Sequence, residues 1–388
     1  MKETTATPSG RYIRISTVGE TVRAFVPNAL PPPGLPPLGY DDLDLLERAN
    51  RCLGRLDGLA ALLPDASLFI YFYVRKEAVL SSQIEGTQSS LSELLLFEEA
   101  QTGGVSIDDV EEVSRYVAAL NHGIRRMRED GFPLSLRLLR EIHAVLLGAG
   151  RGSEKEPGAF RSSQNWIGGT RPGNATYVPP PPAELAACLG DLELFLHSRR
   201  PALPLLVRAA LAHVQFESIH PFLDGNGRLG RLLVTLLLIH DGAISEPLLY
   251  LSLYLKQHRE RYYALLQAVR EQGEWLPWIR FFLEGIRETS VAATDTARRV
   301  MSLFAIDHER VGTMGRSANS ALRIHGYLQR RPITSISGAV GGTGLTFPTV
   351  QSAFRSLEEL GLLNEISGKE RGRVYAYSEY LRILGEGA

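Results

Sequence analysis

His220-Pro221-Phe222-Leu223-Asp224-Gly225-Asn226-Gly227-Arg228-Leu229-Gly230-Arg231 brings an imidazole, a carboxylate, two glycines and two guanidinium groups into twelve consecutive residues. Gly225 and Gly227 have no Cβ, so a ligand can approach the backbone N–H groups, and Asn226 between them adds a side-chain amide. The apolar run Leu232 to Ile239 reads as a helix. The glycine turn would then lie at its N-terminus, where unsatisfied N–H groups and the positive end of the helix dipole favour an anion. Arg228 and Arg231, three residues apart, share one helical face and can hold separate phosphate oxygens. Asp224 is a hard oxygen ligand of the kind Mg²⁺ takes beside substrate phosphates. His220 can accept a proton from an attacking hydroxyl near neutral pH. Together these groups suit phosphoryl or nucleotidyl transfer to a hydroxyl. The plainer reading, a capping histidine, a tight turn and two solvated arginines, explains the same residues singly but not their combination.

The stretch resembles the signature of the Fic family, His-Pro-Phe-x-Asp/Glu-Gly-Asn-Gly-Arg-x-x-Arg, with every fixed position present. The resemblance implies a protein adenylyltransferase that moves AMP from ATP to a Ser, Thr or Tyr hydroxyl of a target protein. It makes His220 the general base and Asp224 the Mg²⁺ ligand. Asn226, Arg228 and Arg231 become phosphate holders within a nucleotide-binding stretch that runs from Gly225 through Gly227, Leu229 and Gly230 to Arg231. The intact Gly225–Arg228 segment favours AMP transfer over the phosphate transfer of death-on-curing relatives, which depart from it.

A second motif lies far upstream at Ser81-Ser82-Gln83-Ile84-Glu85-Gly86. Leu68 to Ile84 has helical apolar spacing, so Ser81 and Glu85 sit one turn apart near an end that Gly86 can terminate. Taken alone, it reads as a solvated glutamate before a helix-ending glycine. In family terms it resembles the inhibitory helix, whose glutamate, here Glu85, pairs with Arg231 and keeps the ATP γ-phosphate from its productive place. Ser81 and Glu85 are then regulatory. Two rivals stand beside autoinhibited AMP transfer. One is removal of AMP by hydrolysis, with Glu85 positioning water; the other is a DNA-binding regulator whose nucleotide site only senses.

Composition sets limits around this reading. The 388 residues are 44% hydrophobic and 22% charged with formal net charge −1, enough for two or three domains and too neutral for bulk attraction to nucleic acid or membrane. Cys52 and Cys188 are too few and too far apart for a zinc framework or disulfide scaffold. The nine histidines form no His-Glu-x-x-His cluster, and His213, seven residues before His220, reads as structural. The polar N-terminus has no apolar signal region and no run long enough to span a bilayer. A cytoplasmic protein without membrane association is expected.

The expected fold is mainly α, a Fic-type helical bundle with a β-hairpin flap and a C-terminal winged-helix domain. Residues 1–40, with Pro31-Pro32-Pro33-Gly34 and Pro36-Pro37, read as an extended arm. Residues 41–130 read as a helical region carrying the inhibitory helix, 131–312 as the catalytic core and 313–388 as the winged helix. Helical periodicity covers 41–63, 67–84, 88–100, 107–130, 134–147, 183–198, 204–218, 228–241, 259–272 and 275–312.

The irregular insert 148–182 holds two predicted strands, Arg161 to Gly169 and Ala175 to Pro180, around a Gly/Pro-rich turn. They resemble the Fic flap, so the target protein is expected to dock on residues 161–180 by strand addition. Tyr263 is the residue that the resemblance places beside the adenine. In 316–388, nine Lys/Arg against six Asp/Glu leave a net +3. Thr349, Gln351, Ser352, Arg355 and the basic wing 368–373 would make DNA contact. Protein docking or homodimerisation is the other use of that module.

Overall fold

The structure is a computed structural model and describes residues 4–62, 66–100, 107–148, 152–198 and 200–386. Part of the predicted insert, residues 149–151, therefore lies outside the described residues. The chain opens with strands β1 (Thr4–Thr7), β2 (Gly10–Thr17) and β3 (Glu20–Pro27), an antiparallel sheet in that order. Gly10 faces Pro27 and Thr17 faces Glu20, so Val18 and Gly19 alone make the turn, both at positive φ (50° and 75°). The expectation of an extended arm is thus corrected over residues 4–27. A two-residue turn of this hand normally announces itself as Asn-Gly or Asp-Gly. Here valine occupies the first position, and the polyproline run that follows dominated the reading.

Ten helices of the bundle follow where periodicity placed them: α1 (Tyr40–Leu62), α2 (Ala66–Ile84), α3 (Leu91–Ala100), α4 (Ile107–Arg128), α5 (Leu136–Leu146), α6 (Pro182–His197), α7 (Leu205–Ile219) and α8 (Asn226–His240), then, after the short α9 (Ser252–Gln257), α10 (Arg259–Gln272) and α11 (Trp275–Gly312). The six-residue α9 was not anticipated, because one and a half turns are too short to show a period. α7 is buried from Leu206 to Ile219, and α8, packed beside it, buries Leu229, Leu232, Leu233 and Leu236. Such depth obliges the polar residues of α7 to find partners. Arg208 meets Asp241 at 2.7 Å, and Gln215 donates to the Asn28 carbonyl at 2.8 Å.

Between α5 and α6 the flap is less regular than expected. Ile167 and Tyr177 exchange backbone hydrogen bonds (2.8 and 3.1 Å) as an isolated antiparallel bridge around a 3₁₀ turn, Pro172–Asn174. Two full strands do not form. Support comes from outside, since the Phe25 N–H of β3 donates to Val178 O at 2.9 Å. The Glu20 carboxylate also accepts from Arg171 and from the Gly173 N–H. The N-terminal sheet therefore braces the flap at root and tip.

Beyond α11 come α12 (Ala318–Arg330), β4 (Ile333–Ser335), α13 (Ile336–Thr343), α14 (Phe347–Glu359), β5 (Asn364–Glu365), β6 (Val374–Ala376) and α15 (Ser378–Gly385). The sheet order is β4-β6-β5, all antiparallel. The helix predicted from Ile333 begins three residues later, because those residues pair with β6, and α15 was not foreseen. This module is joined to the bundle by side chains. Lys76 of α2 donates to the Leu384 and Glu386 carbonyls at 3.0 and 2.6 Å, and Phe72 meets Tyr380 edge-on at 5.2 Å. No described helix is long and apolar enough to cross a membrane.

Candidate active site at the start of helix α8

α7 ends at His220, which takes the left-handed conformation (φ 49°, ψ 62°) while its N–H closes the helix on Phe216 O at 2.9 Å. That geometry costs a non-glycine residue about 1–2 kcal/mol. It is held by buried Arg161, whose backbone N–H donates to Pro221 O at 3.0 Å and whose Nε donates to His220 O at 2.9 Å. Asn226 then clips the turn shut, its Oδ1 accepting from Phe222 N–H (2.9 Å) and its Nδ2 donating to Phe222 O (2.8 Å). The fold engages its carbonyl and one of its two amide N–H groups. What Asn226 can offer an anion is its backbone N–H, with those of the next residues in the first turn of α8.

Gly225 caps α8 at φ 75°, and a Cβ at Gly227 would overlap the Glu85 carboxylate. Only glycine leaves that space for a ligand. A cavity of about 370 Å³ opens here, lined by Glu85, His220, Leu223 and Asp224 through Arg228. Leu229 and Gly230, expected in the nucleotide-binding stretch, are absent from its wall. Leu229 is fully buried, and Gly230 faces Glu217 of α7. The helical period turns both toward the core.

The two arginines part company. Arg231 is buried and its donors are taken by the other motif: Nε by Ser81 Oγ at 2.8 Å, and Nη2 by Ser81 O at 2.9 Å and Glu85 Oε1 at 2.7 Å. Gly86 (φ 100°) does end the chain's run through α2, and Glu85 lies just past the last helical residue. Lys256 and Arg259 hold this turn from α9 and α10, donating to Gln83 Oε1 (2.6 Å) and Ile84 O (3.2 Å). Arg228 instead reaches Glu112 of α4 at 3.0 Å, both side chains 2% exposed, with Asp224 3.6 Å away. Its charge is already balanced by protein carboxylates.

The electrostatics follow this packing. Burial pushes the Glu85 carboxyl up, but the Arg231 guanidinium, helped by Arg228 and His220, holds it below the ordinary carboxylate value. Burial, with the charges of Arg270 and Arg161, drives the His220 imidazole down to about 3. The ring is neutral at physiological pH. Asp224 keeps its carboxylate 39% exposed, with Oδ1 accepting from the Gly225 N–H at 2.6 Å. His213 is structural as expected, bridging Gly230 O (3.0 Å) and Tyr262 OH (2.9 Å). Tyr263 stands beside it, 39% exposed, on the side of Glu85 and Arg231.

Two residues went unread in the sequence. Glu112, 116 positions from Arg228, carries no local signal. His143 sits fully buried near the end of α5, its ring stacked on Phe222 at 3.7 Å. Its only trace in the sequence is a histidine on the apolar face of a helix.

Comparison with known proteins agrees with this geometry. The Fic/DOC family N-terminal model matches residues 43–125, and the Fic/DOC family model matches residues 133–238. Protein adenylyltransferase Fic of Aedes aegypti is 34% identical over 209 residues, 53% of this chain and 39% of that protein. The Drosophila ananassae protein of the same name is 32% identical over 250 residues, 64% of this chain and 46% of its own. The chain thus spans less than half the length of these curated relatives. Among solved structures, a Fic family protein from Desulfovibrio desulfuricans G20 superposes with TM-score 0.59 at 20% identity, covering 88% of this chain and 97% of that one. Fic-1 (residues 134–508) from C. elegans gives 0.52 at 22% identity, covering 67% and 73%. The signature turn, the bundle around it and these matches agree that the chain carries the Fic/DOC family's N-terminal and Fic domains over residues 43–125 and 133–238.

Proposed function

We propose that this chain is a protein adenylyltransferase, held at low activity by its own Glu85. The observation that carries the reading is the seat of the Glu85 carboxylate, on Arg231 and inside the cavity that His220 and Asp224 line. A carboxylate and a phosphate compete for the same guanidinium donors. With Glu85 in place, a triphosphate meets an occupied arginine; with Glu85 withdrawn, its tail can settle on the first turn of α8 and on Arg231. His220 then takes the proton of a target hydroxyl, the hydroxyl oxygen bonds to the α-phosphorus, the bond to the bridging oxygen of the β-phosphate breaks, and pyrophosphate leaves.

Asp224 fits a Mg²⁺ role, being a half-exposed carboxylate on the cavity wall, since that ion takes one or two protein carboxylates and completes its shell with phosphates and water. The ion would screen charge on the departing phosphates.

The outer edge of the flap at residues 164–168 suits strand addition by the target, because the inner arm is already paired with β3. The order of α12 to β6 supports reading residues 313–388 as a winged helix, with α14 and the basic loop 368–373 as its DNA-contacting face.

The test is transfer of label from α-labelled ATP to lysate proteins, followed by mass spectrometry of the acceptors. Glu85→Gly should label more strongly than wild type, and adding His220→Ala should erase the signal. Equal labelling by all three would overturn the reading. Release of AMP from premodified protein, lost in Glu85→Gly, would support hydrolysis in its place.

A further inference from the structure

His143 joins two loops that carry the turn. The Gly158 N–H donates to its Nδ1 at 2.8 Å, so the ring proton must reside on Nε2, which donates to the Asp224 carbonyl at 3.0 Å. The carbonyl of Asp224 and the N–H of Gly225 belong to one planar peptide unit. That same N–H grips Asp224 Oδ1 at 2.6 Å. Fixing the carbonyl therefore fixes the direction of the N–H, and through it the carboxylate. Stacking on Phe222 (3.7 Å, 12° between planes) and complete burial hold the imidazole itself in one orientation. From the other side, Gly152 abuts Asp224 Oδ2, a Cβ there falling 2.9 Å from it, so the loop that His143 tethers also walls the carboxylate.

We infer that His143 is a positioning residue: a neutral imidazole that sets the Asp224–Gly225 peptide plane and thereby aims the Asp224 carboxylate into the cavity for a divalent cation. The cation's role rests on the function proposed above; the tether itself does not. A pure packing role makes a different forecast, since leucine would then be the best replacement. Glutamine can place a donor where Nε2 stood and keep the Asp224 contact. Asparagine reaches only as far as Nδ1 and keeps the Gly158 contact alone.

The experiment has two readouts on the full chain. In the absence of nucleotide, hydrogen exchange of the 220–231 segment should quicken in His143→Leu and His143→Asn and return toward the wild-type rate in His143→Gln. In a Glu85→Gly background, the tightening of a fluorescent ATP analogue by Mg²⁺ should fall about 10–100-fold in His143→Leu and His143→Asn, the usual cost of losing an outer partner of a metal ligand. His143→Gln should recover most of it. Leucine matching wild type, or asparagine matching glutamine, in the exchange rates overturns the inference. If exchange follows the forecast but the Glu85→Gly parent binds no nucleotide, the positioning role stands and the adenylyltransferase reading falls.

Discussion

The signature turn and the turn after α2 meet at Arg231, yet they are held in place differently. The signature turn is tied to itself and to deep neighbours: Asn226 to Phe222, Arg161 to His220, His143 to Asp224. The turn after α2 reaches its place mainly through charged or polar side chains, Glu85 on Arg231, Lys256 on Gln83 and Arg259 on Ile84. The side-chain-to-backbone bonds of the signature turn persist whatever occupies the cavity, whereas a carboxylate on a guanidinium can be exchanged for another anion. The first region is a scaffold; on the function proposed above, the second is a removable occupant.

The largest effect should come from the scaffold's reactive group. His220→Ala removes the proton acceptor and should lower AMP incorporation by about 10²–10⁴-fold, a range typical of general bases, with the thermal midpoint little changed. Next in size, Glu85→Gly should raise incorporation by about 5–150-fold, the usual span of a coupling energy, measured as initial rate with saturating ATP. If this variant were instead inactive with an altered fold, the turn after α2 would be scaffold and the contrast would fail. Lys256→Met loosens the same turn through one hydrogen bond and should release about fivefold at most, read in the same assay.

The smallest effect concerns the floor beneath the turn. Burial lifts the Glu217 carboxyl from its ordinary 4.5 to about 7. A folded-state value above the unfolded one gives stabilisation that is complete below about 4.5 and lost as pH rises through about 7. Wild-type thermal stability should therefore decline between pH 5 and 8, and Glu217→Gln should flatten that decline. An identical pH slope in the two proteins would mean that Glu217 is already solvated or paired.

Legibility in the sequence followed the range of each interaction. The signature, the helix it opens and the Ser81–Glu85 motif are local patterns, and the ten long helices repeat a period over many residues. Hairpins depend on turn chemistry, and Val18-Gly19 hid one where polyproline suggested an arm. The flap's two strands were overstated because alternation promises pairing only when backbones lie opposite for several residues, and here one bridge forms. Leu229 and Gly230 belong to the motif by contiguity, and that the helix turns them inward shows only in three dimensions.

By itself, the sequence determined which chemical groups gather at the turn and that a helix must start there, since glycines, a run of leucines and residue spacing act within a few ångströms along the chain. Only the tertiary structure decided what each group is free to do. Arg228 is ion-paired with Glu112, Asn226 clips Phe222, and Arg231 is met by a glutamate 146 positions away. Such partnerships arise where distant helices are pressed together and buried charges must be matched, and that pairing has no signature in linear order.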